Sequence, residues 1–166
     1  FEFSVGRERL IVNCGAVPQG SAEWRAPCAS TAAHSTLTID DTNACTIGDE
    51  GGVMNHVQTS SQRYEENGAQ ILEMAHNGYY SRFGLTHTRI LKLNNDGETL
   101  TGRELLQGRK RRDYTLRWHL HPTVQVSLSQ GGQTALLKTP TGNGWRLRVE
   151  KGELGLESSI YCGSAI

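Results

Sequence analysis

Glycine-bearing turns divide this chain more firmly than any other feature of its sequence. Asn67-Gly68, Asn77-Gly78, Asp96-Gly97, Gly131-Gly132 and Asn143-Gly144 each separate two β-like runs. Such dipeptides supply the positive φ that tight hairpins need, so runs divided this way fold as antiparallel β. About twelve runs qualify, near 1–5, 9–13, 35–39, 55–65, 69–76, 85–94, 98–105, 114–121, 124–129, 133–138, 145–150 and 153–161. They predict a two-layer antiparallel β-sandwich with little helix, formed by residues 1–166 as a single domain.

The run from Tyr114 alternates most cleanly. Tyr114, Leu116, Trp118 and Leu120 point one way, and Thr115, Arg117, His119 and His121 the other, which predicts one strand with one face on the core. Trp145, Leu147 and Val149 repeat the pattern, with Arg146 and Arg148 on the opposite face. No segment reads as an amphipathic helix. Residues 15–33 form a long connection whose end, 29–33, is expected to make one helical turn; loops of this length in compact domains often carry function.

Seventeen Lys and Arg balance seventeen Asp and Glu. A net charge of zero argues against a dedicated nucleic-acid binder, which carries a basic excess. No run of eighteen apolar residues exists to span a bilayer as a helix. The chain opens on Phe1 and is already strand-like there, so it reads as the continuation of a longer protein. Cys14, Cys28, Cys45 and Cys162 form no C-x-x-C pair and read as free, buried thiols rather than a zinc knuckle.

Several constellations carry chemistry. His76-Asn77-Gly78-Tyr79, continuing through Arg82 to His87 and Arg89, places aromatic, imidazole and guanidinium groups about one hairpin tip. Aromatic rings stack on sugars, and Arg pairs with carboxylates in a two-pronged geometry, so His76, Tyr79, Arg82, His87 and Arg89 are the expected substrate-binding residues. The competing reading is a turn whose aromatics cover a core edge. Arg109-Lys110-Arg111-Arg112 is a cationic loop, either solvated or attracting a polyanion. His119 and His121 share a strand face, as metal-binding pairs in jelly-roll metalloenzymes do. Gln125 stands where those enzymes place a glutamate, and Asp113 where they place a glycine, which argues against a metal at this pair. No G-x-S-x-G elbow, P-loop or dinucleotide fingerprint is present.

Four stretches, in order and spanning essentially the whole chain, resemble the β-sandwich domain of heparinase II/III-like proteins. The opening hairpin runs from Phe1-Glu2-Phe3 to Val12-Asn13-Cys14-Gly15 and resembles the family's Val-Asp-x-Gly ending. Ala33-His34-Ser35-Thr36-Leu37 is similar to its Ala-His-Asn-Thr-Val. His76-Asn77-Gly78-Tyr79 resembles its His-Asp-Gly-Tyr, and Arg117-Trp118-His119-Leu120-His121-Pro122 resembles its Arg-Phe-His-Leu-His-Pro. The resemblance implies a bacterial polysaccharide lyase that cleaves uronic-acid polymers by β-elimination. It implies partners in an acidic polysaccharide and an N-terminal helical toroid domain of the same chain, and it favours the periplasm. The proton-transfer residues would lie in that helical domain and in a His-x-His segment upstream, so no catalytic residue is expected here. A structural zinc would take an upstream histidine, His34, and an aspartate at the place of Asn13; the asparagine removes a charged oxygen ligand. The alternative is a non-catalytic carbohydrate-binding or interdomain structural sandwich.

Overall fold

The computed structural model describes residues 1–17 and 20–163. The described residues are mostly β: twelve antiparallel strands in four small sheets, with two α-helical turns. In order these are β1 (Phe3–Val5), β2 (Glu8–Val12), α1 (Arg25–Ala29), β3 (Leu37–Ile39), β4 (Thr59–Glu66), β5 (Ala69–His76), α2 (Tyr80–Phe83), β6 (Leu85–Leu93), β7 (Leu100–Gly108), β8 (Tyr114–Leu116), β9 (His119–Leu120), β10 (Gln125–Leu128), β11 (Thr134–Lys138) and β12 (Gly144–Arg148). Two compact units emerge. The first comprises Phe1–Leu37, Asp49–Gly51 and Leu116–Ile166; the second comprises Thr38–Gly48 and Gly52–Thr115. β3 and β8 form a two-stranded sheet.

The first unit holds the sheets β1-β2-β9 and β10-β11-β12. Leu10, Val124, Ala135 and Leu137 are buried together, and Phe3, Leu120, Val126, Trp145, Leu147 and Leu154 pack around them. The alternation read from the sequence sets this core. The register Val126↔Leu137↔Trp145 puts these three side chains on one face. The same register turns Ser127, Leu136 and Arg146 outward, and all three are exposed. Trp145 meets Phe3 edge-on, with ring centroids 6.0 Å apart, while its indole N–H is buried without a hydrogen-bond partner. Fully buried Ser35 ties the chain together: its hydroxyl donates to the Val12 carbonyl at 2.7 Å and accepts the His119 amide at 2.8 Å.

The second unit is built on the meander β4-β5-β6-β7. Asn67 and Gly68, with φ of 52° and 78°, form the β4–β5 turn, the paired left-handed geometry that an Asn-Gly hairpin supplies. Asn77-Gly78 does something different from the expected hairpin, because it leads into α2. Gly78 is required by close approach: a Cβ there would collide with the Ala44 carbonyl.

Two expected strands change. The run 114–121 divides into β8 and β9 because it changes partner, β8 pairing with β3 and β9 with β2. The pleat is lost at Arg117 and Trp118, and Tyr114, expected on the core, is 55% exposed. Residues 153–161 form no strand. They are held by isolated backbone bonds nearby, Leu154 N to Gly132 O and Cys162 N to Cys14 O, rather than by a ladder. Within 15–33 the helical turn expected at 29–33 is present as a 3-10 turn at Thr31–Ala33, and two further turns precede it, a 3-10 turn at Ala22–Trp24 and α1.

Candidate functional site

The β5–β6–β7 register aligns His76 with His87, and Met74 with Arg89 and Glu104. Directly paired residues share a face, and so do residues two apart on one strand. His76, His87, Arg89 and Glu104 therefore lie on one side of the sheet, and their side chains meet. A ring nitrogen of His76 (Nε2) lies 3.0 Å from Nδ1 of His87, and Nε2 of His87 lies 2.6 Å from one oxygen of Glu104. Arg89 Nε donates to the other oxygen at 2.6 Å.

The proton positions follow from one backbone group. The Gly78 amide donates to Nδ1 of His76 at 3.2 Å, so that nitrogen is an acceptor. Neutral His76 then carries its proton on Nε2 and donates to Nδ1 of His87. His87 in turn carries its proton on Nε2 and donates to Glu104. Burial pushes the His76 pKa down to about 4, with the charges of His87 and Arg89 adding to the effect. Burial alone would raise Glu104, but the His87 hydrogen bond and the Arg89 charge outweigh it and hold the carboxyl below its ordinary value. The row is thus two hydrogen-bonded imidazoles leading into a buried carboxylate–guanidinium pair.

Of the five expected substrate residues, three join this row: His76, His87 and Arg89. His87 is only 3% exposed and Arg89 5%. Tyr79 is 1% exposed, so it does not offer a stacking face; burial pushes its hydroxyl up to about 12, with Cys45 adding and a hydrogen bond with the Ile39 backbone opposing. Here the core-edge reading of the hairpin describes the aromatic better than the sugar-surface reading. Arg82 is exposed on α2. Its guanidinium carbon lies 5.6 Å from the Phe83 ring centroid, and that of Arg112 lies 5.4 Å from the same ring. Arg112 also reaches Asp40 at 3.4 Å. Two cations about one aromatic ring form a half-solvated basic spot in the second unit. Glu104, Phe83 and Arg112 were not singled out as site residues from the sequence. The only early sign of Arg112 was its membership of the cationic run.

The expected zinc residues lie in the first unit. Asn13 Oδ1 accepts the Ser35 amide at 3.0 Å, and Asn13 Nδ2 donates to Glu2 at 3.2 Å. His34 is half-buried and hydrogen-bonds the Cys28 backbone; burial, then the charges of His119 and the N-terminus, lower its pKa. This chain therefore offers a zinc ion one imidazole and an amide oxygen already in use. Among the described residues no group of three His, Cys, Asp or Glu side chains is placed to hold a metal, so the residues present do not by themselves fit zinc. His119 has both ring nitrogens engaged, by Ser159 at 2.7 Å and Ala32 O at 2.8 Å, and His121 Nδ1 is bonded to Thr123. The four cysteines are free thiols, with Cys14 and Cys28 buried and Cys45 and Cys162 half-buried. Cys28 and Cys162 approach to 3.9 Å, and burial raises the pKa of both.

Residues 1–165 match the C-terminal domain of heparinase II/III-like proteins. The chain belongs to the heparinase II/III-like family. It is also 24% identical, over 97% of its length, to FtsZ-localized protein C of Caulobacter vibrioides, strain NA1000 / CB15N. The chain spans 31% of that relative's length. No solved structure matches. Residues of the sequence motifs take part in these contacts: Asn13 and Ser35 in the first unit's polar clasp, His76 and Gly78 at the head of the second unit's imidazole row. No described helix of this heparinase II/III-like domain is long and apolar enough to cross a membrane.

Proposed function

We propose that this chain is the polysaccharide-facing β domain of a heparinase II/III-like lyase. In this reading it helps form the cleft in which a uronic-acid polymer undergoes β-elimination, and the proton-transfer groups lie outside it. The family match over residues 1–165 carries the reading. Arg82 and Arg112 about Phe83 supply groups suited to a sugar carboxylate. β-Elimination requires a base for the proton α to the carboxyl group and neutralisation of that carboxylate. The imidazole row does not supply the base, since every ring nitrogen in it has a partner. A structural zinc in the parent protein would need ligands beyond Asn13 and His34.

The test uses the protein at its natural length. Incubation with a panel of polyuronides is expected to generate the ultraviolet absorbance of an unsaturated uronate. No product on any member of the panel would defeat the lyase reading.

A second reading is a non-catalytic interdomain or carbohydrate-binding module. The closed imidazole row favours it, and so does the name of the 24%-identical relative, an FtsZ-localized protein. Localisation of the tagged natural-length protein to division sites, without polyuronide cleavage, would favour this reading.

A further inference from the structure

We propose that the outward face of β10-β11-β12, in the first unit, binds an anionic polysaccharide. This surface uses none of the residues assigned to substrate above. The inference rests on the acidic-polysaccharide reading for its ligand class and on the sheet itself for its location.

The register determines what this face carries. Ser127, Leu136 and Arg146 form one cross-strand row, Gln125, Lys138 and Gly144 the next, and Thr134 pairs with Arg148 on the other side. Three cations, Lys138, Arg146 and Arg148, are exposed on it, and its three strands place no carboxylate there. Arg146 and Arg148 are two residues apart on one strand, so their Cα atoms lie roughly 7 Å apart and their side chains point the same way. Guanidinium groups so placed suit carboxylates carried along a polymer.

The face is also hollow. A shallow, open concavity of about 760 Å³ lies against these strands, lined by Ser127, Leu136, Lys138, Gly144 and Arg146 of the outward face together with Val126, Leu137 and Trp145 of the other. Leu136, 53% exposed, is an aliphatic surface on which the C–H face of a sugar can rest. Gly144 leaves its part of the sheet bare, and a Cβ built there meets nothing within 4 Å. Glycine within a strand marks places where another molecule can approach the backbone closely. Glu8, the carboxylate bonded to the β11–β12 turn, already accepts from Thr141 and Asn143.

The chemistry favours a glycan over a nucleic acid. The residues that these three strands turn outward include no aromatic ring on which a base could stack. Hydroxyl and amide groups, one aliphatic patch and three cations match a chain of sugars bearing both hydroxyls and carboxylates.

The test measures binding of the natural-length protein to polygalacturonate and alginate at fixed ionic strength, with dextran and duplex DNA as controls. Gly144→Tyr fills the trough from a position with space for a side chain. The double variant Arg146→Glu with Arg148→Glu reverses its charge, and unfolding midpoints show that both variants are folded. Each change is expected to weaken polyuronide binding about tenfold or more, with dextran bound weakly throughout. Unchanged polyuronide affinity in both folded variants would overturn the inference. So would DNA binding that is tighter than polyuronide binding and lost in the same variants. Polyuronide cleavage with unchanged binding in both variants would sink this inference and leave the lyase reading standing. Loss of binding in the variants, with no cleavage by the parent protein, would do the reverse.

Discussion

The two units bury polar groups in opposite ways. In the first, buried Ser35 sits in a short, neutral clasp: its hydroxyl bridges Val12 and His119, and half-buried Asn13 accepts its amide. In the second, a sheet face encloses a carboxylate, a guanidinium and two imidazoles in one continuous row. The difference concerns tolerance. A neutral clasp that loses one partner forfeits roughly one hydrogen bond, whereas a buried charge that loses its counter-charge is stranded.

The largest effect that tests this contrast is expected from Glu104→Ala. It leaves Arg89 and His87 buried without the carboxylate and should cost about 3–5 kcal/mol in denaturant unfolding. A loss below about 1 kcal/mol would show that water replaces the carboxylate and that the row is not an enclosed ionic site. In the first unit, where the core is apolar, Leu10→Ala should cost about 3 kcal/mol through lost transfer energy and the cavity left behind. Ser35→Ala should cost less, about 1–3 kcal/mol, because it exposes one donor and one acceptor but no charge.

Acid should separate the same groups. His76 has its pKa lowered from 6.5 to about 4, so between those values the unfolded chain binds a proton that the folded chain does not. Stability is therefore fully present above pH 6.5 and falls as the pH drops towards 4, by on the order of 1–2 kcal/mol after allowance for the partly exposed ring. Glu104, also held below its ordinary value, extends the fall to lower pH. Titrating the unfolding midpoint of the parent protein against His76→Gln measures this; an identical slope in both would remove His76 as its source. The smallest effect is expected at Trp145→Phe. That change discards a buried N–H without a partner and retains a ring against Phe3, so its cost should stay under about 1 kcal/mol.

The same contrast explains what could be read in advance. Part of the first unit's core was visible because the alternation of Trp145 and Leu147 with Arg146 and Arg148 along β12 translates directly into half-buried and exposed faces. The Asn67-Gly68 hairpin was visible because its turn chemistry is local. The division of 114–121 was hidden because the alternating pattern continues through Arg117 and Trp118 while the pairing partner changes. His76, His87 and Arg89 were noticed as a group, but their carboxylate was not. Glu104 is placed among them only by the β6–β7 register, and nothing near it in sequence marks the choice. Tyr79 was misjudged because a hairpin motif does not report whether its aromatic faces solvent or the interior.

The Gly78 amide governs more than a turn. It occupies one nitrogen of His76 while His87 occupies the other, so an arriving proton finds no vacant position on that ring until one of these contacts opens. The Gly78 contact is at the loop end of the row, and the remaining links lie deeper in the sheet. Protonating His76 at Nδ1 therefore requires the Gly78 amide to give up that contact, which ties the acid response of the sheet to the backbone of its own turn.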